Sequence, residues 1–240
     1  MEQRPPPMPP FVLDPEPVAR ERAGSLDIYR PEGGQPRPAI LFVHGGPAPP
    51  GPTPRDWTVF TGYAAAGVER GVVAAVVDHS LAGGTGLIEE AAAEVRAAAD
   101  QLRAAAGVDP DRIALWFFSG SGLLAARWLK PAPPWLRCLA ATYPLFCPPP
   151  ELPQLRTAAD AIASAPDLPV VLTRVGLERP ELAAAVEQFV TAAASAGANL
   201  EIIDVPNGHH GFDLIDHTEE SRTAVRQALD SVIGHLRRSA

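Results

Sequence analysis

The sequence predicts an α/β fold, a mostly parallel sheet with helices covering both faces. Two observations carry that expectation. Short apolar runs alternate with longer segments of helical period from about residue 25 onward, the order that builds parallel strands joined by crossover helices. Several runs, such as 39–43 and 113–118, are apolar without alternation, as strands are when both faces of a sheet are buried. A third observation locates the chemistry. The run Arg112-Ile-Ala-Leu-Trp-Phe-Phe breaks on Ser119-Gly120-Ser121-Gly122, and a helical pattern follows at once.

Taken in order, residues 1–24 read as a proline-rich arm, because repeated proline denies the backbone its donors. Strands are expected over 25–29, 39–43, 72–78, 113–118, 136–143, 170–174 and 200–205. Helices are expected over 57–66, 87–106, 120–130, near 155–164, 181–196 and 219–238. The segment 87–106 places Glu89, Glu90 and Glu94 early and Arg96 and Arg103 late, which suits a helix dipole and reports a solvated face. The connection 144–153 is proline-dense and too short for a helical cap. With no internal repeat or long linker, residues 25–240 read as one domain, a length at which a sizeable core forms.

Composition excludes several classes. A hydrophobic content of 46% and a charged content of 20% suit an ordinary globule, and the net charge of −8 with no basic run argues against nucleic acid or an anionic membrane as partner. No apolar run reaches the length of a membrane span. Residues 1–10 lack the cationic start and apolar stretch of a secretory signal. Cys138 and Cys147 are the two cysteines. They read as free thiols of a cytoplasmic protein, although a disulfide is neither required nor excluded.

The break after Phe118 has the form of a nucleophile elbow. A strand feeds a tight turn, and one hydroxyl is lifted above the sheet beside the free amides of a helix start. Ser119 is the better register. Taking Ser121 instead would spend Ser119 and Gly120 inside the strand and put Leu123 where a small residue belongs. A serine needs a base, and the base needs an orienting group. The base is expected after the last strand, where Pro206-Asn-Gly-His209-His210-Gly-Phe212 forms a turn-rich segment. Consecutive histidines rarely converge on one ion, and no carboxylate or cysteine cluster accompanies them, so no metal is expected. The acid is expected after the preceding strand, at Glu178. Asp204 is the rival on the final strand, and Glu181 competes as a simple helix-start acid. A glycine pair after the strand 39–43, in His44-Gly45-Gly46-Pro47, suits an oxyanion hole. The Gly46 and Gly120 amides would donate and Gly45 would assist the turn, with His44 bracing it.

These features together resemble a known family. His44-Gly-Gly-Pro47, the stretch Gly107-Val-Asp-Pro-Asp-Arg-Ile-Ala-Leu-Trp116 leading to Ser119, Gly176-Leu-Glu178-Arg-Pro180, and His210-Gly-Phe-Asp213 look like an α/β-hydrolase of the dienelactone-hydrolase and small carboxylesterase group. The resemblance runs from about Leu26 onward. It implies about eight strands and a Ser–acid–His triad, with Ser119 as nucleophile, Glu178 as acid and His210 as base. Three positions depart from the pattern. Phe117 stands where a small residue is usual, Ser121 replaces the second glycine of the elbow, and Glu178 is found where aspartate is commoner.

The expected activity is cofactor-free hydrolysis of small or medium neutral carboxylic esters, with Trp57, Leu81, Phe118, Phe146 and Phe212 as candidates to line an apolar pocket. A lactonase or peptidase on the same triad is the enzymatic alternative. A catalytically weak ligand- or partner-binding protein, suggested by Phe117, is the non-enzymatic one.

Overall fold

The computed structural model describes residues 8–148 and 151–238. Eight strands form a single sheet: β1 Arg20–Ala23, β2 Leu26–Tyr29, β3 Arg37–Val43, β4 Val73–Val77, β5 Val108–Phe118, β6 Leu136–Thr142, β7 Val170–Leu177 and β8 Leu200–His209. Their spatial order is β1-β2-β4-β3-β5-β6-β7-β8. The β1–β2 and β2–β4 pairs are antiparallel, and every other pair is parallel. The helices are α1 Thr58–Glu69, α2 Ile88–Ala104, α3 Ala158–Ala161, α4 Pro180–Ser195, α5 Phe212–Ile215 and α6 Glu219–Arg237.

Alternation inside the apolar strands divides the core in two. In β5, Ile113, Leu115 and Phe117 join the cluster under α2, α3 and α4, while Ala114, Trp116 and Phe118 join the one under α1 and α6. Leu41 and Phe42 of β3 split the same way. Both faces are therefore dry, which is why these runs read as continuously apolar. Local signals fix several helix ends. Pro180 opens α4, where a missing N–H costs nothing. The Thr218 hydroxyl accepts from the Ser221 amide at 3.1 Å to cap α6.

Four expectations need correction. The arm expected over 1–24 is partly structured: residues 1–7 lie outside the described residues, but Phe11 and Val12 are buried in the core and residues 20–23 form β1. This edge strand, Arg-Glu-Arg-Ala, has no apolar signal. Its arginines are held by charge, Arg20 at 3.1 Å and Arg22 at 2.9 Å from fully buried Asp27. The helix expected over 120–130 is a 3₁₀ stretch, Ser119–Arg127. Gly-Ser-Gly is a poor helix start, and the Ser121 hydroxyl bonds the local backbone in competition with an α ladder. The helix expected near 155–164 shrinks to α3 and a 3₁₀ turn at Ile162–Ser164. Finally, β8 runs four residues past the expected end at 205, because its pairing with β7 continues to Leu177 and His209.

Between β6 and α3 the described residues form no helix, so nothing of cap size stands over the carboxyl ends of the strands. Pro149 and Pro150 of that connection lie outside the described residues. Cys138 and Cys147 are both free, and burial pushes the Cys138 thiol up. No helix among the described residues is long and apolar enough to cross a membrane.

Candidate active site

The carboxyl end of β5 delivers Ser119 in a left-handed conformation, φ 50°. A non-glycine residue enters that region only when its surroundings hold it there. The Ser119 carbonyl is held by the Leu145 amide at 2.8 Å. Ser121 supplies a second fastening. Its side chain is fully buried, its Oγ accepts from the Phe118 amide at 2.8 Å, and its proton goes to the carbonyl of Val43 (2.8 Å) or Phe118 (2.9 Å). Ser121 therefore staples the elbow to the end of β3. Its hydroxyl has no exposure with which to meet a substrate.

The last paired residues of β7 and β8 are Leu177 and His209, so Glu178 and His210 leave neighbouring strands side by side. The Ser119 hydroxyl reaches His210 Nε2 at 2.7 Å, and His210 Nδ1 reaches Glu178 Oε2 at 2.5 Å. With Nδ1–H donating to the carboxylate, Nε2 is left as an acceptor for the serine proton. The Glu178 side chain is 6% exposed and that of His210 29%. The carboxylate is thus shielded while the imidazole edge and Ser119 stay within reach of solvent. Glu178 Oε1 also accepts from the Arg179 amide at 2.8 Å.

The rival positions lie elsewhere. Asp204 pairs with Arg174 on the surface at 2.5 Å, and Glu181 occupies the first turn of α4. His209 points outward and bonds Asp216 at 3.1 Å.

The turn after β3 lies against the elbow. A Cβ at Gly120 would stand 2.4 Å from the Gly46 carbonyl oxygen and 3.0 Å from its nitrogen, contacts possible only for a residue without one. Among the described residues the Gly46 amide has no backbone acceptor, and Gly120 sits in the first turn of the 3₁₀ stretch, where amides have no partner within the helix. Gly45 is equally close, 2.9 Å from the Ser119 Cβ by the same measure. Behind this turn the fully buried His44 donates from Nδ1 to the Gly45 carbonyl at 2.5 Å. His79 donates to the His44 carbonyl at 3.1 Å, and the two rings stack 3.9 Å apart. Burial holds both imidazoles below their ordinary value, so they are neutral struts. His79 immediately follows Asp78 beyond the end of β4, a position that could have singled it out in the sequence.

The expected pocket lining is corrected. Leu81, Phe118, Phe146 and Phe212 are at most 3% exposed. Phe118 packs among Phe60, Tyr63 and Trp116, Phe146 on Phe189, and Phe212 on Tyr143. Leu81 backs the Gly46 turn. Only Trp57 is half-exposed, with its Nε1 donating to the Pro52 carbonyl at 3.0 Å. Aromatic residues serve core and pocket equally well, and only burial separates the two uses. Two residues went unread: Tyr143, whose ring lies 4.8 Å from that of His210, and Asp213, which accepts from the Tyr143 hydroxyl at 2.8 Å.

An eight-stranded, mostly parallel sheet with a strained serine turn after its fifth strand is the α/β-hydrolase fold. Solved structures bear this out. The apo form of Thermogutta terrifontis esterase 2 superposes with a TM-score of 0.70 at 18% identity, over 95% of this chain and 98% of that one. Its propionate-bound form gives 0.70 at 18% identity, over 94% and 97%. The form phosphorylated by paraoxon gives 0.70 at 19%, over 94% and 98%. At such identity the likeness is one of fold. No family model matches the sequence, and no curated protein matches it significantly.

Proposed function

We propose that this chain is a serine hydrolase of small or medium carboxylic esters. The observation that carries the reading is the unbroken line Ser119 Oγ–His210–Glu178, at 2.7 and 2.5 Å, starting from a serine at φ 50°. Ser119 Oγ attacks the ester carbonyl carbon while its proton passes to His210 Nε2. Glu178 holds the imidazole through Nδ1 and stabilises the imidazolium that forms. The Gly46 and Gly120 amides receive the oxyanion. Collapse of the tetrahedral adduct expels the alcohol, which takes the proton from Nε2 and leaves an acyl group on Ser119. Water, deprotonated by His210, attacks that acyl carbon and frees the carboxylic acid. Side chains and backbone amides account for each step without a cofactor.

The shielded Glu178 beside a reachable Ser119, with no cap among the described residues, supports an open cleft suited to short neutral acyl groups. The esterase neighbours, bound to propionate or butyrate in two of their structures, favour the same substrate size. Within the fold, the motifs around His44, Ser119, Glu178 and His210 favour the dienelactone-hydrolase and small carboxylesterase group. The two free cysteines favour a cytoplasmic setting, and the two continuous core layers, which take in Phe11 and Val12, favour a single domain that reaches back before residue 25. Hydrolysis of p-nitrophenyl acetate and butyrate, measured for the wild-type chain and for Ser119→Ala, tests the reading. It predicts turnover that the substitution abolishes, and equal rates for the two proteins would overturn it.

A further inference from the structure

A buried polar cluster that the mechanism above does not use lies beneath His210. Asp213 has no exposed surface, yet its carboxylate accepts from two phenols, Tyr143 at 2.8 Å and Tyr63 at 3.1 Å. Burial pushes the Asp213 carboxyl up to about 6, against the pull of those two hydrogen bonds. The same burial drives both phenols well above their ordinary value, so they remain neutral donors.

Each end of the cluster has a destination. Tyr143 follows β6 in a left-handed conformation, φ 37°, with its amide tied to the Thr173 carbonyl at 2.8 Å. That backbone sets the Tyr143 ring 4.8 Å from the His210 imidazole. At the opposite end the Phe11 ring lies 4.7 Å from the Tyr63 ring, and the Val12 amide donates to the Asp213 carbonyl at 2.9 Å. Helix α1 is bare where Phe11 sits: a Cβ at Gly62 would fall 2.3 Å from the Phe11 ring. The Thr58 hydroxyl fastens the Pro9 carbonyl at 2.5 Å. A proline-rich segment that composition marks as an arm thus enters the core beside Tyr63 and bonds the backbone of Asp213.

We propose that residues 9–12 are a positioning strap for the general base, acting through Phe11, Tyr63, Asp213 and Tyr143 on the plane of the His210 ring. The inference rests on His210 being that base. In each half-reaction the imidazole must accept a proton from one oxygen and return it to another without leaving Glu178, so its tilt matters. Tyr143 presents a ring to that imidazole, tilted by 51° with the centroids 4.8 Å apart. Asp213 holds Tyr143 by its hydroxyl, and Asp213 is in turn held by Tyr63 and Val12. Removing the Phe11 ring frees Tyr63, loosens Asp213 and lets the Tyr143 ring tilt. Misplacement of a reacting group by about 1 Å costs up to ~10²-fold. A partial loss, roughly tenfold in kcat with KM unchanged, is therefore expected from a substitution this far away.

The test uses the full chain with Phe11→Ala, Tyr143→Phe and the double substitution. Two quantities are read. One is kcat and KM on p-nitrophenyl butyrate, normalised to sites titrated with a fluorophosphonate. The other is the His210 Cε1–H resonance, assigned by its loss in His210→Gln, which senses the Tyr143 ring whether or not the protein turns over. Phe11→Ala should move that resonance and lower kcat about tenfold, yet add less than about twofold when Tyr143→Phe is already present, as coupled residues do. A loss of stability without a role in positioning would leave kcat per titrated site and the resonance where they were. Either quantity unmoved, or two fully additive losses, overturns the strap. Should Phe11→Ala fail to fold, Phe11→Leu keeps most of the volume and is read in the same way. If the wild-type chain hydrolyses no ester, the ester reading falls separately, and the resonance alone decides the strap.

Discussion

Gly120→Ala puts the oxyanion hole to a test whose size follows from the geometry. The added methyl would stand 2.4 Å from the Gly46 carbonyl oxygen and 3.0 Å from its nitrogen. Carbon and oxygen atoms settle at roughly 3.3 Å or more, so the two turns must part by about 1 Å. Both obstacles are backbone, and no side-chain rotation relieves them. The Gly46 and Gly120 amides, proposed above as the two oxyanion donors, are then pushed apart. Loss of a single oxyanion donor costs about 10²–10³ in kcat, roughly 3–4 kcal/mol. KM should change little, because the hole acts on charge that develops after binding. The assay is steady-state hydrolysis of p-nitrophenyl acetate, with thermal unfolding to show that the variant is folded. A folded Gly120→Ala protein with wild-type kcat would refute the assignment of these amides.

Glu178→Gln should lower kcat by about 10⁴-fold, as removal of an orienting carboxylate does; Asp204→Asn, which removes one of two surface carboxylates paired with Arg174, should leave the rate near wild type, and the opposite pattern would move the acid to β8. His210→Ala should abolish turnover while His209→Ala, losing only its side-chain bond to Asp216, keeps most of it; steady-state rates of the two variants check this, and the reverse pattern would move the base to His209. Asp213 gives a stability prediction. Its carboxyl is near 6 when folded against an ordinary 3.8, so between those values the folded chain holds a proton that the unfolded chain has lost. Stability therefore falls as pH rises from about 4 to 6, by roughly 3 kcal/mol in all, and stays lowered above that. Urea unfolding at pH 4 and pH 7 should show a smaller difference for Asp213→Asn than for the wild type; an equal difference would contradict the assignment.

The contrast between β5 and β1 shows what the sequence could disclose. The run 113–118 is apolar on both faces because both faces are buried, and that signal survives in one dimension. Arg20-Glu-Arg-Ala23 forms a strand only because β2 offers it backbone partners and Asp27 offers its arginines a counter-charge. Nothing within the four residues announces it. That Ser119, Glu178 and His210 could come together was legible for a related reason: each was expected in the connection after a strand, and chain order constrains where such residues meet. Leu81, Phe118, Phe146 and Phe212 were misread because an apolar side chain near a catalytic motif looks the same whether it lines a cleft or fills the layer beneath. The Asp213 cluster was out of reach, since its meaning depends on Tyr63 and Tyr143, which lie 150 and 70 residues away in sequence. The 3₁₀ stretch after Ser119 was missed through Ser121, whose hydroxyl bonds the Phe118 amide instead of leaving the turn free to wind into an α-helix.

The nucleophile carries the whole account and can be marked directly. The wild-type chain is treated with a fluorophosphonate, digested, and the adduct located by tandem mass spectrometry, with Ser119→Ala in parallel. The account predicts one stoichiometric adduct on Ser119, none in Ser119→Ala, and a parallel fall in ester turnover on the order of 10⁶-fold. An adduct on Ser121, or labelling and turnover that persist in Ser119→Ala, would contradict it.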